Sequence, residues 1–250
     1  MSGNPSQLYR LKELDALRGI AALMVTVYHL LLGRIDYDSF VKFGTTGVDL
    51  FFIISGFVIF MTIEKCKTAK EFIVSRFSRL FPAYWTAVTF SFIVILVSIR
   101  FGFHQADNEY IVSNYFVNLT MLQHYFGVKD LDEQYWTLIT ELVFYVFILC
   151  LFAINSIRHI KLIGSIILGG LILCRFYFDT INYTQTIERL LFFVPLLRYF
   201  PLFFAGIIFY EIKTDKRTFS KLLLLIACLL TQVYIYDKFH RHFWIVNTLE

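Results

Sequence analysis

Residues 15–32 read DALRGIAALMVTVYHLLL, an apolar stretch of helical length that carries Asp15 and Arg18 near its start and a single histidine, His29, near its end. Arg18 and His29 stand eleven residues apart, close to three turns of an α-helix, so they share one helix face about 16 Å apart along the axis. Ionisable residues within a membrane usually face a cavity or the bundle interior. The pair is therefore a candidate functional feature. A histidine that bonds a neighbouring helix and an arginine that reaches the headgroups would explain it as well.

The rest of the chain repeats this apolar pattern. Of its 250 residues, 58% are hydrophobic and 29 are Phe, whereas a soluble domain is about 45–50% apolar. The sequence predicts an all-α, polytopic bundle of seven transmembrane helices and the start of an eighth near Phe243. We expect residues 1–250 to form one membrane domain that is truncated at its C-terminus. The seven predicted spans are 15–32, 47–63, 80–99, 137–154, 160–178, 190–210 and 221–236.

Charges between the spans predict the orientation. The segment 64–79 holds five Lys and Arg against two Glu, and 211–221 holds four cations against two acids. Under the positive-inside rule both segments are cytoplasmic, 100–136 faces outside, and the N-terminus is cytoplasmic in a multi-pass protein of the cell (plasma or inner) membrane. The net charge of +4 fits anchoring to the bilayer and gives no reason to expect nucleic-acid binding.

Cysteine and histidine spacing gives no sign of a metal site. The cysteines lie within or beside apolar stretches without C-x-x-C spacing, which is typical of small apolar core residues. Five further histidines fall in loops or at helix ends without ligand spacing, and we expect them to be solvated. We expect no metal and no permanently bound cofactor. The residues concerned are Cys66, Cys150, Cys174 and Cys228, and His104, His124, His159, His240 and His242.

Two arginines form a second candidate site in Arg76-Phe77-Ser78-Arg79. If residues 72–80 are helical, Arg76 and Arg79 project from one face, and their planar guanidinium groups suit phosphate oxygens. Pro82 then suits the start of the next helix. The alternative is that both arginines only anchor a cytoplasmic loop.

A carboxylate, Glu141, lies about one turn inside a predicted span. In the interior it would be protonated or would seek a partner. It could orient His29, bind an acceptor hydroxyl or relay a proton. The alternative is a helix-end carboxylate bonded to Thr137 or Trp136.

Small residues mark the second span, where Ser55-Gly56 sits in mid-helix. They would let another helix or an extended ligand approach the backbone closely, although packing alone explains them equally well. Asp49, near the outer end of that span, is an interfacial carboxylate that needs no special role.

Four segments in order resemble the acyltransferase-3 family of membrane acyltransferases, which O-acylate cell-surface glycans and other acceptors. The resemblance implies an O-acyltransferase that takes an acyl group from cytoplasmic acyl-CoA and transfers it to a hydroxyl of a glycan or related acceptor. The expected acyl group is acetyl, so the expected donor is acetyl-CoA. It implies His29 as the catalytic base or transient acyl carrier, Glu141 as a further catalytic-site residue, and Arg18, Arg76 and Arg79 as donor-binding cations. The segments are LDALRGIAALMVTVYH at 14–29, GVDLFFIISGFVI at 47–59, RFSRLFPAYW at 76–85 and YWTLITELVFY at 135–145.

The sequence departs from the family pattern at two points. Leu142 and Val143 follow Glu141 where members often carry further polar residues, and members usually have more helices than this chain shows. A transporter or proton relay lined by Arg18, His29 and Glu141, or an inactive scaffold, therefore stays open. Arg76-x-x-Arg79 favours the enzyme, because a phosphate-bearing donor needs such cations and transport does not.

Overall fold

The computed structural model describes residues 11–31, 43–103, 108–180, 184–215 and 219–247, with the side chains of all of these except 108–109, 179, 184–188 and 236–247. In these ranges the regular secondary structure is helical, which confirms the predicted all-α class. The helices are α1 Lys12–Leu31, α2 Thr46–Ile63, α3 Ala69–Arg100, α4 Asn108–Asn118, α5 Trp136–Ala153, α6 Ile160–Thr180, α7 Thr184–Phe193, α8 Leu196–Thr214 and α9 Phe219–Asn247.

Five stretches of the described chain are long and apolar enough to cross a bilayer, and they correspond to the first five predicted spans. The apolar part of α9, Phe219–Ile235, is shorter. The chain is thus a multi-pass membrane protein, while the predicted count of seven spans is not confirmed. The five stretches are Lys12–Leu31, Phe43–Ile63, Ala69–Arg100, Glu133–Ala153 and Ile157–Phe178.

Helix α3 corrects the prediction that a new helix starts at Pro82, because α3 continues through that proline. In a membrane, neighbouring groups can satisfy the carbonyl that a proline leaves free, so an apolar helix tolerates it. The true start is capped by Thr68: Glu71 N donates to Thr68 Oγ1 at 3.2 Å, and Lys67 N, just before the cap, donates to Glu71 Oε2 at 2.9 Å. The bond to Thr68 satisfies an amide of the first turn that has no partner within the helix.

Three other predicted boundaries were wrong. The span at 190–210 is divided between α7 and α8 at Val194-Pro195, since the residue before a proline avoids the helical region. The predicted loop 100–136 contains α4. The helix predicted to start near Phe243 is not separate, because α9 runs unbroken to Asn247.

The chain divides into two compact units: residues 1–58 with 201–230, and residues 59–200 with 231–250. In the first unit, α2 and α8 approach closely at two glycines. A Cβ added to Gly56 would collide with the backbone of Phe203, and one added to Gly206 would collide with the carbonyl of Ile53. The close approach predicted at Ser55-Gly56 is therefore confirmed, with another helix as its partner.

The second unit has a core in which α3 and the 119–135 segment meet. Tyr84, Val88, Met121 and Tyr135 are buried together there. Tyr84 donates its hydroxyl to the carbonyl of Asn118 at 2.6 Å. The Asn118 amide in turn donates to the Lys129 carbonyl at 3.1 Å and accepts from Leu131 N at 3.1 Å. These bonds tie the non-helical segment to α3 and α4.

Candidate functional site

Arg18 and His29 lie in the first unit, on α1. The helix places them on one face as the spacing predicts. Arg18 is partly buried, and His29 is exposed, with its ring centroid 5.2 Å from that of Tyr28 in an edge-to-face arrangement.

Arg76 lies in the second unit and is 7% exposed. Its Nη2 donates to Thr62 Oγ1 at 3.1 Å and to Ser75 Oγ at 3.3 Å. The guanidinium carbon lies 6.0 Å from the ring centroid of Phe72 and 5.8 Å from that of Tyr145, a distance at which a cation is attracted to an aromatic face. Among the described residues, Arg76 Nε has no hydrogen-bond partner. The arginine is therefore held from three helices, and its Nε is left without a partner among the described residues.

Arg79 differs from Arg76 in its surroundings, although the predicted helix over 72–80 is confirmed. Arg79 is exposed. Residues three apart on a helix are rotated by about 60° from each other, which suffices to bury one guanidinium and leave the other at the surface. The two arginines therefore offer one accessible and one interior cation.

Glu141 is partly buried on α5, and its Oε1 accepts a hydrogen bond of 2.7 Å from the hydroxyl of Tyr145. Thr137 or Trp136 was the partner expected if Glu141 is only a helix-end carboxylate, and the bond to Tyr145 was not predicted. The hydroxyl of Thr137 instead bonds the Gln134 carbonyl at 2.9 Å. The spacing of Glu141 and Tyr145 was the available signal, because residues four apart on a helix are neighbours.

The second unit thus joins a carboxylate, a phenol and a cation into one cluster, formed by Glu141, Tyr145, Arg76 and Thr62. Ionisable groups within a membrane are expensive and usually functional. Glu141 bonds the hydroxyl of the Tyr145 ring, and the guanidinium group of Arg76 lies over the face of that ring. Within the described ranges, no three His, Cys, Asp or Glu side chains are grouped as metal ligands would be.

Of the remaining histidines, which were predicted to be solvated, His159 is exposed as expected, whereas His124 is partly buried. Its ring packs against that of Phe192 at a centroid distance of 4.4 Å, and its Nε2 donates to the Phe192 carbonyl at 2.8 Å. His104, His240 and His242 lie outside the residues whose side chains are described. His124 therefore joins the 119–131 segment to α7.

Asp130 belongs to the same segment. Its Oδ1 accepts a hydrogen bond of 2.6 Å from Gln123 Nε2. Burial raises the pKa of the Asp130 carboxyl, an effect that this bond and the nearby His124 only partly offset.

Together, the apolar helices and the charged cluster define a membrane protein with a polar site on its candidate spans. Comparison with known families places it more narrowly: the acyltransferase-3 family, described as an acyltransferase domain, matches residues 11–248. The chain belongs to this family. All five predicted site residues fall within the match.

Two curated relatives are similar to the chain. A protein of the Acidianus two-tailed virus, named as an acetyltransferase, is 29% identical over 179 residues, which are 72% of this chain and 51% of the relative. The peptidoglycan O-acetyltransferase OatA of Listeria monocytogenes is 28% identical over 175 residues, which are 63% of this chain and 27% of the relative. The chain thus spans about half of the length of the first relative and about a quarter of the second. No solved structure matches it.

Proposed function

We propose that this protein is a membrane-embedded O-acyltransferase that moves an acetyl group from acetyl-CoA, bound from the cytoplasmic side, to a hydroxyl of a cell-surface glycan. The family match over residues 11–248 carries the proposal. One relative, named as a peptidoglycan O-acetyltransferase, supports a glycan as the acceptor.

The donor is proposed to bind through arginines. Exposed Arg79 meets the phosphates of CoA with its planar fork of donors, which matches phosphate geometry. Arg76 lies one turn away and adds positive charge from the interior, where Thr62 and the Phe72 and Tyr145 rings fix its position. Arg18, which is partly buried on α1, is the third donor-binding cation. The excess of Lys and Arg in 64–79 supports a cytoplasmic donor side.

His29 is proposed as the general base. Its neutral imidazole takes the proton of the acceptor hydroxyl while the hydroxyl oxygen attacks the thioester carbonyl. The carbon–sulfur bond then breaks, the CoA thiolate leaves, and it receives the proton from the imidazolium. The products are an O-acetyl ester and free CoA thiol. In the two-step alternative, His29 carries the acetyl group before the hydroxyl attacks.

Distance along α1 supports this use of Arg18 and His29. The two residues are separated by about 16 Å along the helix axis, a length comparable to that of an extended phosphopantetheine arm. A phosphate near Arg18 could thus be linked to a thioester near His29.

Glu141 is proposed to bind the acceptor hydroxyl. Its carboxylate accepts a hydrogen bond from Tyr145. It lies on a helix with few polar groups, where it can accept a second hydrogen bond. Binding a sugar hydroxyl there would fix the orientation of the acceptor.

The test is acetyl transfer by the purified chain in lipid nanodiscs, supplied with acetyl-CoA and a peptidoglycan fragment. We expect release of free thiol that depends on the acceptor, together with an equal amount of acetyl ester. Absence of both thiol release and acetyl-CoA binding would overturn the proposal. Proton flux across vesicles without thiol release would favour a transporter instead.

A further inference from the structure

An apolar groove with a volume of about 240 Å³ lies between α3 and α5 in the second unit. Its exposed wall is hydrocarbon, although Arg76 and Tyr145 lie beneath it. The candidate span on α3 begins at Ala69, inside the segment 64–79 that was predicted to be cytoplasmic, and α5 is a candidate span as well. The groove therefore faces the bilayer. It is lined chiefly by Ile73, Phe77 and Phe81 of α3 and by Leu142, Val146 and Leu149 of α5.

One wall of the groove is flat and well packed. The rings of Phe77 and Phe81 are stacked with centroids 4.2 Å apart, and Trp85 packs edge-on against both, at 5.8 and 5.6 Å. Ile73 and Val146 on the rims are about half exposed, at 49% and 52%. A long, flexible hydrocarbon chain fits such a surface, because it gains contacts along its whole length.

A cation lies on α3 one turn before the first residues that line the groove. Lys70 is exposed in the first turn of α3, and residues 70, 73, 77 and 81 follow one stripe of the helix. Lys70 lies about 10 Å along the axis from Phe77, at the end where the chain leaves the membrane span. Exposed Lys65 and Lys67 precede it. Their acidic neighbours are Glu64 and Glu71, and the Glu71 carboxylate is already engaged by Lys67 N.

We propose that this groove binds one acyl chain of an anionic phospholipid, with the lipid phosphate held at Lys70. The apolar wall and the terminal cation together match a molecule with a hydrocarbon tail and a negative head. A zwitterionic lipid offers the same tail but less net charge, so the lysines favour the anionic lipid by about fivefold for each cation in contact. The proposal does not depend on the acyltransferase activity.

Native mass spectrometry of the full chain in detergent tests this proposal. It compares the binding of phosphatidylglycerol with that of phosphatidylcholine of the same chain length. We expect the wild type to retain phosphatidylglycerol preferentially. Lys70→Gln should lower this preference several-fold and leave the binding of phosphatidylcholine unchanged. Val146→Trp, which fills the groove, should lower the binding of both lipids. Leu173→Trp, at a 69% exposed position on α6 outside the groove, is the matched control.

Three outcomes would overturn the proposal. They are equal retention of the two lipids by the wild type, an unchanged preference in Lys70→Gln, and a Val146→Trp variant that binds lipid as well as Leu173→Trp does. A shift in oligomeric mass in Val146→Trp alone, without a change in lipid binding, would assign the groove to a second copy of the chain. If Val146→Trp fails to fold, the lipid preference of Lys70→Gln still decides the headgroup contact.

Discussion

The hydroxyl of Tyr145 donates to Glu141 Oε1 at 2.7 Å, one helical turn away on α5. The same ring lies 5.8 Å from the guanidinium carbon of Arg76, so one phenol touches the two charged members of the cluster in different ways. Its edge bonds the carboxylate, and its face meets the cation. This arrangement makes Tyr145 a positioning residue for Glu141.

Replacing Tyr145 by Phe removes the bond to Glu141 and keeps the ring beside Arg76. Hydrogen bonds to charged groups contribute about 1.5–3 kcal/mol, so we expect kcat for acetyl transfer to fall about tenfold or more, with the KM for acetyl-CoA little changed. Tyr177→Phe, at a 60% exposed position on α6, is the control and should keep full activity. Equal activity in the two variants would leave Tyr145 with a packing role only.

Replacing His29 by Ala tests the proposed base. General-base catalysis contributes about 10²- to 10⁴-fold, and we expect a loss of at least this size in thiol release. Binding of acetyl-CoA, measured by calorimetry, should persist because the donor cations are intact. Thr26→Ala, at another exposed position on α1, controls for changes in the helix. Near-normal turnover in well-folded His29→Ala protein would exclude His29 from the chemistry.

The two arginines should respond differently to lysine. Lysine keeps the charge of Arg79 but loses the bidentate fork, so we expect CoA affinity to fall about 10- to 150-fold. Arg76→Lys should also lower the melting temperature of the protein, because it loses the guanidinium bond to Thr62 and the contacts with the Phe72 and Tyr145 rings. Arg100→Lys, at the exposed end of α3, is the control. Unchanged CoA affinity in Arg79→Lys would mean that the two arginines only anchor a cytoplasmic loop.

Apolar stretches identified the first five spans because each is long, continuous and nearly free of charge. The predicted helix boundaries failed where a cap, a proline or a contact between separated residues decides where a helix begins or ends. The pair Thr68 and Glu71 starts α3 before the apolar run begins, and Pro195 divides a run that hydropathy reads as continuous. Helix α4 has no strong apolar period. Instead, Asn118 holds it through bonds to Lys129 and Leu131, and such contacts between separated residues leave no local pattern.

The candidate site was predictable as a set of residues but not as a set of contacts. An intramembrane carboxylate such as Glu141 is conspicuous in sequence, and so is the Arg76 and Arg79 pair. The bond from Arg76 to Thr62 joins two helices, so no spacing rule predicts it. Which of the two arginines is buried depends on how α3 is rotated against its neighbours, and a three-residue spacing allows either.

Close helix packing at Gly56 should make this position intolerant of a side chain. A Cβ there would collide with the backbone of Phe203, which cannot move as a flexible side chain could. Overpacking typically costs about 1–3 kcal/mol, so we expect Gly56→Ala to lower the melting temperature by several degrees. Gly169→Ala is the matched control, since nothing lies within 4 Å of its added Cβ. Equal melting temperatures would mean that α2 and α8 do not pack as closely as described.

Burial of Asp130 predicts how stability depends on pH. Because burial raises the pKa of this carboxyl in the folded protein, the folded state binds its proton more tightly than the unfolded chain does. Stability therefore falls as pH rises from the ordinary aspartate pKa of about 4 through the raised value, and is constant above it. Asp130→Asn keeps an oxygen for Gln123 and has no charge to bury, so we expect a smaller decline of melting temperature over this pH range. Glu133→Gln, at an exposed position nearby, should leave the decline unchanged. A decline of the same size in Asp130→Asn and the wild type would show that another group causes it.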